Sequence, residues 1–488
     1  MYKNPINISK NFEYGPEDIL CNPDPFVIKF CGKYYCYSSG EFGVNILTSK
    51  DLTLFEHKGF AYSNENEYSY WAPAVCYING VFYLYYSSLL RGETDDHKHY
   101  LRVAQSKYPE GPFEFITTII SDFAIDPHVF RTNEGLFLLY SRNVTTNTDR
   151  IGTVIAIERM LSPTQVAGEA KNIILPGLDE EIFARNRFGD GRDWHTIEGA
   201  FFYTKEDYRY IFYSGNAYTS PNYFVGYAVA DGKTPLFDTV FRKYPDSMTY
   251  KPLVASKGFI SGTGHNSVVK APDNMTDVIV YHGVPKDAPS DGRDHRQLCV
   301  DPLFSSRGVL FTNAPSSGEW LTVPRATVST VQDTQAEWTY SVLASHDRNM
   351  LMCGDGIASG SIYGDGGVVD TWLKIVDGCS RLTISPTLSF VIYSDLKGIC
   401  IKDSRGKCIY RSDDYCSNPQ VYHHFSVEWT PEKYSVFFDE VLVGTGQTSG
   451  MREIDVSLAN ILGTTELGSV ELTVIMNQES ANRDYVDE

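Results

Sequence analysis

A pair of apolar, aromatic-rich strands joined by a turn recurs five times in the first 300 residues, and no other feature restricts the fold as tightly. The copies open at Asp24, Trp71, Asp126, Glu198 and His265. The first reads Asp24-Pro-Phe-Val-Ile-Lys-Phe, a Cys31-Gly-Lys turn, then Tyr34-Tyr-Cys-Tyr-Ser-Ser39. The second opens on Trp71-Ala-Pro and turns at Asn79-Gly. Both have the alternation and turn chemistry of β-hairpins. Successive copies start 47, 55, 72 and 67 residues apart, room for a four-stranded sheet with variable loops, and no long amphipathic helix intervenes. The spacing predicts an all-β fold, a five-bladed β-propeller. The first strand of each blade lines the channel, so the five opening residues are expected around one pocket.

At 488 residues the chain exceeds what one core usually serves, and two domains are expected. The blade pattern stops near residue 312, at the turn-rich Thr312-Asn-Ala-Pro-Ser-Ser-Gly. Residues 1–312 are therefore predicted as the propeller. Residues 326–488 show alternating strands, such as Phe425/Val427/Trp429 and Tyr434/Val436/Phe438 about a Thr430-Pro-Glu-Lys turn, and are predicted as a β-sandwich.

The 42 basic and 61 acidic residues leave a net charge of −19 with no basic run, which disfavours nucleic acid and suits a neutral substrate. No stretch of 18 apolar residues and no leader-like apolar run near Met1 to Gly15 appears, so neither membrane insertion nor secretion is expected. The ten cysteines fall five in the first part, up to Cys299, and five beyond it, without metal spacing, and read as reduced structural thiols. Together these features predict a cytoplasmic protein; nothing in them fixes an oligomeric state.

Three acids stand where chemistry is expected. Glycosidic bond cleavage needs one carboxylic acid to protonate the leaving oxygen and one carboxylate on the opposite face. Asp24, in Asn22-Pro-Asp-Pro, is held between two prolines that restrict the backbone. A lone Asp-Pro ordinarily marks a turn, but Ile125-Asp-Pro repeats it at Asp126, the same repeat position. Glu198, in Trp194-His-Thr-Ile-Glu-Gly-Ala-Phe-Phe, has apolar neighbours that raise a carboxyl pKa; the bland alternative is an edge-strand glutamate. His265 reads as a metal ligand or an orienting group, against a satisfied structural histidine. Trp71 is a sugar platform or a core residue. Arg296 offers a bidentate fork to vicinal hydroxyls, or a surface salt bridge.

These motifs resemble glycoside hydrolase family 43 over most of residues 20 to 305. The resemblance implies an inverting enzyme releasing α-L-arabinofuranose or β-D-xylose from plant oligosaccharides or polysaccharides. It makes Asp24 the general base, Glu198 the general acid and Asp126 the pKa-modulating aspartate. Trp71-Ala-Pro, Tyr213-Ser-Gly-Asn, Asn222-Tyr-Phe-Val-Gly-Tyr-Ala and Gly264-His-Asn-Ser extend it, adding Trp71, Arg296, His265, Asn216 and Tyr223 as substrate contacts. It requires no cofactor but places a structural calcium near His265 in some members. The sandwich resembles concanavalin A-like jelly rolls, which implies a carbohydrate-binding role. His128 and His195 depart from the pattern and are expected to reshape the leaving-group side. Galactan- or fructan-cleaving propellers and a non-catalytic sugar-binding propeller are the alternatives; the missing Trp-x-Asn-Asp-Pro-Asn pattern speaks against the fructan enzymes, and the three acids against the last.

Overall fold

The computed structural model describes residues 1–10, 21–332, 334, 337–340, 343–346, 349–352, 356–395, 398–413, 415–448 and 450–475. Cys353 and the chain beyond 475, on which part of the thiol and sandwich expectations fell, lie outside them.

The described residues up to 312 form five blades of mainly antiparallel strands. The innermost strands are Phe26–Phe30, Glu67–Ile78, Ile125–Thr132, Trp194–Lys205 and Ile260–Lys270, each hydrogen-bonded to the strand that follows it. A buried apolar cluster fills every junction between neighbouring blades, including Tyr37, Tyr70 and Tyr86 between the first and second, and Val27, Val280 and Val300 between the fifth and first. The aromatic repeat read from the sequence is thus the set of side chains that glue flat blades face to face.

The ring is closed by the N-terminal strand Asn7–Lys10, which adds to the outer edge of the first blade. Just before it, the Asn4 side chain exchanges 2.9 Å hydrogen bonds with the backbone of Val300 in the fifth blade.

Beyond the propeller, Gly366–Ser385 and Glu453–Ile475 pair along most of their length in a nearly closed sheet. Its core holds Val369, Phe390, Phe425, Phe438 and Leu472. The hairpin expected around Trp429 is present, with Trp429 opposite Tyr434.

This second unit packs on the hairpin turns of the blades. Lys29 Nζ pairs with Glu471 Oε2 at 2.7 Å, the Tyr77 hydroxyl donates to Tyr422 O at 2.9 Å, and Arg131 Nη2 meets Asp413 Oδ2 at 2.8 Å. Asn274 Nδ2 in the fifth blade donates to the same Glu471. Blade-opening residues and hairpin turns occupy opposite ends of the inner strands. The sandwich therefore covers the propeller end away from the three acids.

Candidate active site

The inner strands share one irregularity. Asp24, Ala72, Asp126, Gly199 and His265 all have left-handed backbones, with φ of 55°, 43°, 57°, 66° and 48°. The second to fifth blades lose pairing register at this level, as at a β-bulge. For the residues with side chains the conformation costs about 1–2 kcal/mol each, and such strain persists where surrounding structure enforces it.

The enforcing contacts form a belt. Ala72 N donates to Ser39 Oγ at 2.7 Å, Gly199 N to Asp126 Oδ2 at 2.9 Å, His265 N to Ser214 Oγ at 2.7 Å, and Asp24 N to His282 Nδ1 at 3.1 Å. Each bond runs from one blade's left-handed residue to a side chain of the preceding blade, tying second to first, fourth to third, fifth to fourth and first to fifth.

This register corrects one expectation. Asp24, Asp126 and His265 are the left-handed residues of their blades, whereas Trp71 and Glu198 stand one position before theirs. Glu198 keeps an extended backbone, and the turn falls on Gly199, where a Cβ would lie 3.1 Å from the His265 ring.

Asp24 sits in a nest of donors. Oδ2 accepts from Ser39 Oγ at 2.6 Å, and Oδ1 lies 3.1 Å from Arg296 Nη1 and 3.4 Å from His265 Nδ1. Burial by itself raises a carboxyl pKa, but the guanidinium, the histidine and the serine bond overrule it and hold Asp24 well below the usual carboxylate range. His282 is buried and neutral: its pKa is pushed down to about 3 by burial and then by Arg296. Since its Nδ1 accepts from Asp24 N, it braces the backbone rather than pairing with the carboxylate.

Glu198 has the opposite surroundings. Its Oε1 accepts from the Tyr223 hydroxyl at 2.7 Å, and no cation among the described residues is within ion-pair distance. Burial first, and then the charge of Asp126, push its carboxyl up to about 8. Asp126 is fixed by Gly199 N and by Ser141 Oγ at 3.2 Å, and burial raises its pKa as well. The structure thus gathers three carboxyl groups of unequal proton affinity, one firmly ionised and one protonated near neutrality.

The other expected site residues are redistributed. Arg296 directs its Nε and Nη2 at Asp294, 2.7–3.1 Å away, stacks on Tyr218 with 4.8 Å to the ring centroid, and spends Nη1 on Asp24. Its fork is used within the protein. Tyr223 is buried and binds Glu198, and Asn216 Nδ2 donates to Glu180 O at 2.9 Å. One face of Trp71 is covered by His99, 3.6 Å between centroids, so it has one free face at most for a sugar.

Among the described residues no group of three or more His, Cys, Asp or Glu is arranged to hold a metal ion. His265 faces Asp24, where Arg296 already supplies positive charge.

His128, expected to alter the leaving-group side, instead belongs to a floor beneath the acids. Its ring stacks on Phe201 at 4.2 Å and meets Phe26 edge-on at 5.5 Å, so first, third and fourth blades close over the channel. Burial pushes its pKa down to about 3, and Nδ1 accepts from Phe202 N. His195 accepts from Arg150 Nη1 at 2.8 Å and lines a polar cavity of about 410 Å³ with Asp149, Arg150, Gly191, Arg192 and Asp193.

Sequence reasoning missed Ser39, Ser214, His282, Asp294 and Tyr218. A signal existed for three of them: Ser39, Ser214 and His282, like Ser141, each close the second strand of their repeat copy, opposite the residue before the left-handed one.

Residues 19–305 match the model of a family described as Glycosyl hydrolases family 43. An "Extracellular exo-alpha-(1->5)-L-arabinofuranosidase" of Streptomyces avermitilis is 23% identical over 240 residues, 48% of this chain and 44% of that enzyme, so the chain spans less than half the relative's length. A crystal structure of a thermostable family-43 glycoside hydrolase is 28% identical, with a TM-score of 0.55 over 67% of this chain and all of that one. A family-43 protein from Bacillus licheniformis, 16% identical, superposes with a TM-score of 0.50 over 97% of this chain and 99% of its own, a likeness of fold alone.

The extracellular relative overturns the cytoplasmic expectation. The nine described cysteines are free thiols, and burial raises the pKa of Cys36, Cys76 and Cys299, leaving them unreactive. A buried thiol of this kind survives in any compartment and so does not report one. No helix among the described residues is long and apolar enough to cross a membrane.

Proposed function

The chain belongs to glycosyl hydrolase family 43, and from that premise we propose that it releases pentose residues from plant-derived oligosaccharides or polysaccharides with inversion. Its preferred unit in this reading is α-L-arabinofuranose, supported by the names of its relatives, with β-D-xylose second. The same likeness favours action outside the cell.

The observation that carries the reading is the unequal proton affinity of Asp24 and Glu198. A glycosidase needs one carboxyl group charged and one protonated at the same pH. Asp24, held ionised by Arg296 and Ser39, takes a proton from the attacking water. Glu198, protonated in its buried site, gives one to the departing oxygen. Asp126 acts through its charge, keeping the Glu198 proton in place. The ion pair with Arg296 also weakens Asp24 as a base, so its service is orientation as much as basicity. In this reading residues 1–312 make up the catalytic domain, and the described part of residues 326–488 is a sandwich that covers its far end.

A panel of 4-nitrophenyl glycosides tests the substrate class. Turnover of the α-L-arabinofuranoside above the β-D-xylopyranoside is expected; activity on the galactoside alone would replace the pentose reading. Proton NMR of the first-formed anomer tests inversion, since a retained anomer requires a nucleophilic carboxylate instead.

A further inference from the structure

We infer that Gly264, Tyr223 and His282 form one positioning unit that links the two working carboxyl groups and holds Glu198 in register with Asp24; this rests on the roles proposed above. Tyr223 is buried, and its hydroxyl donates to Glu198 Oε1 at 2.7 Å. Its ring lies parallel to that of His282, 5.7 Å between centroids and 7° between planes. His282 in turn accepts the Asp24 N–H through Nδ1. The path from acid to base therefore runs through two parallel rings contributed by the fourth and fifth blades.

Gly264 makes the path possible. A Cβ at this position would lie 1.9 Å from Tyr223 Cε1 and 2.2 Å from Cδ1, far inside contact distance. The ring is walled in by His282, itself fully buried, so it cannot step aside without losing its hydroxyl bond. The glycine before His265 is thus needed for space: it admits the ring that holds the acid. Tyr223 touches Glu198 rather than substrate, which makes it a positioning residue.

A purely structural role would change stability and leave the proton chemistry alone. A positioning role changes the acid step. Loss of the Tyr223 hydroxyl removes a bond that favours the Glu198 carboxylate, so the Glu198 pKa rises and the basic limb of kcat/KM moves to higher pH, by about one unit. Protonation of the leaving oxygen loses aim at the same time, which matters most for poor leaving groups.

The test uses the full chain with Tyr223→Phe, and compares the 4-nitrophenyl glycoside it turns over best with the matching methyl glycoside across pH. The expected result is an upward shift of the basic limb and a loss at least ten-fold greater on the methyl glycoside. Gly264→Ala should reproduce both effects; if it does not fold, Tyr223→Phe decides, with circular dichroism confirming its fold. An unchanged limb with equal loss on both substrates overturns the inference. Failure of the underlying assignment looks different: Glu198→Gln would then show no dependence on leaving group.

Discussion

Arg296 Nη1 lies 3.1 Å from Asp24 Oδ1, joining residues 272 positions apart in the chain. The same guanidinium is anchored on Asp294, so the cation that holds Asp24 ionised is itself immobile. Arg296→Lys keeps a charge but cannot serve both carboxylates in one plane. The Asp24 pKa should rise, moving the acidic limb of kcat/KM to higher pH. An acidic limb unchanged in Arg296→Lys would show that another group sets it.

Replacement of either working acid should remove most turnover. Asp24→Asn and Glu198→Gln are each expected to lower kcat by about 10²–10⁴-fold, the usual worth of positioned acid–base catalysis. Steady-state rates on the best 4-nitrophenyl glycoside, with thermal melting as a control for folding, measure it. Full activity in either variant would sink the assignment.

The basic limb of the wild-type profile is expected near pH 8, where Glu198 loses its proton. Asp126→Asn removes a negative charge that makes this proton harder to lose. The Glu198 pKa should therefore fall and the basic limb move to lower pH, with kcat/KM recorded between pH 5 and 10 as the check.

The sandwich and propeller share a buried ion pair. The side chains of Lys29 and Glu471 are 9% and 0% exposed, and Asn274 and Gln332 complete the shell around the carboxylate. Lys29→Met leaves Glu471 uncompensated and should destabilise the protein by about 3–5 kcal/mol. Lys29→Met with Glu471→Leu should recover much of the loss, since a matched apolar pair removes the buried charge altogether. Denaturant melts of the single and double variants measure both.

The propeller and its acids were legible because the repeat writes them locally. Asp24-Pro and Asp126-Pro occur at equivalent positions, and most of the aromatic side chains in the strands around them serve blade packing. What escaped was relational. Arg296 resembles a substrate fork until Asp294 and Asp24 are seen to occupy it. Tyr223 looks like a sugar contact until the fold buries it against Glu198. His128 follows an acid in sequence, yet two residues of rise along the strand set its ring below that acid, in the floor. The docking of the sandwich was equally hidden, because its partners are single residues scattered over four hairpin turns.

The rings of Phe26, His128 and Phe201 pack together beneath the acids, on the side of the channel nearer the sandwich. Product released above this floor shares the mouth of the pocket with incoming substrate. The two therefore contend for one doorway, and accumulated product slows the next round.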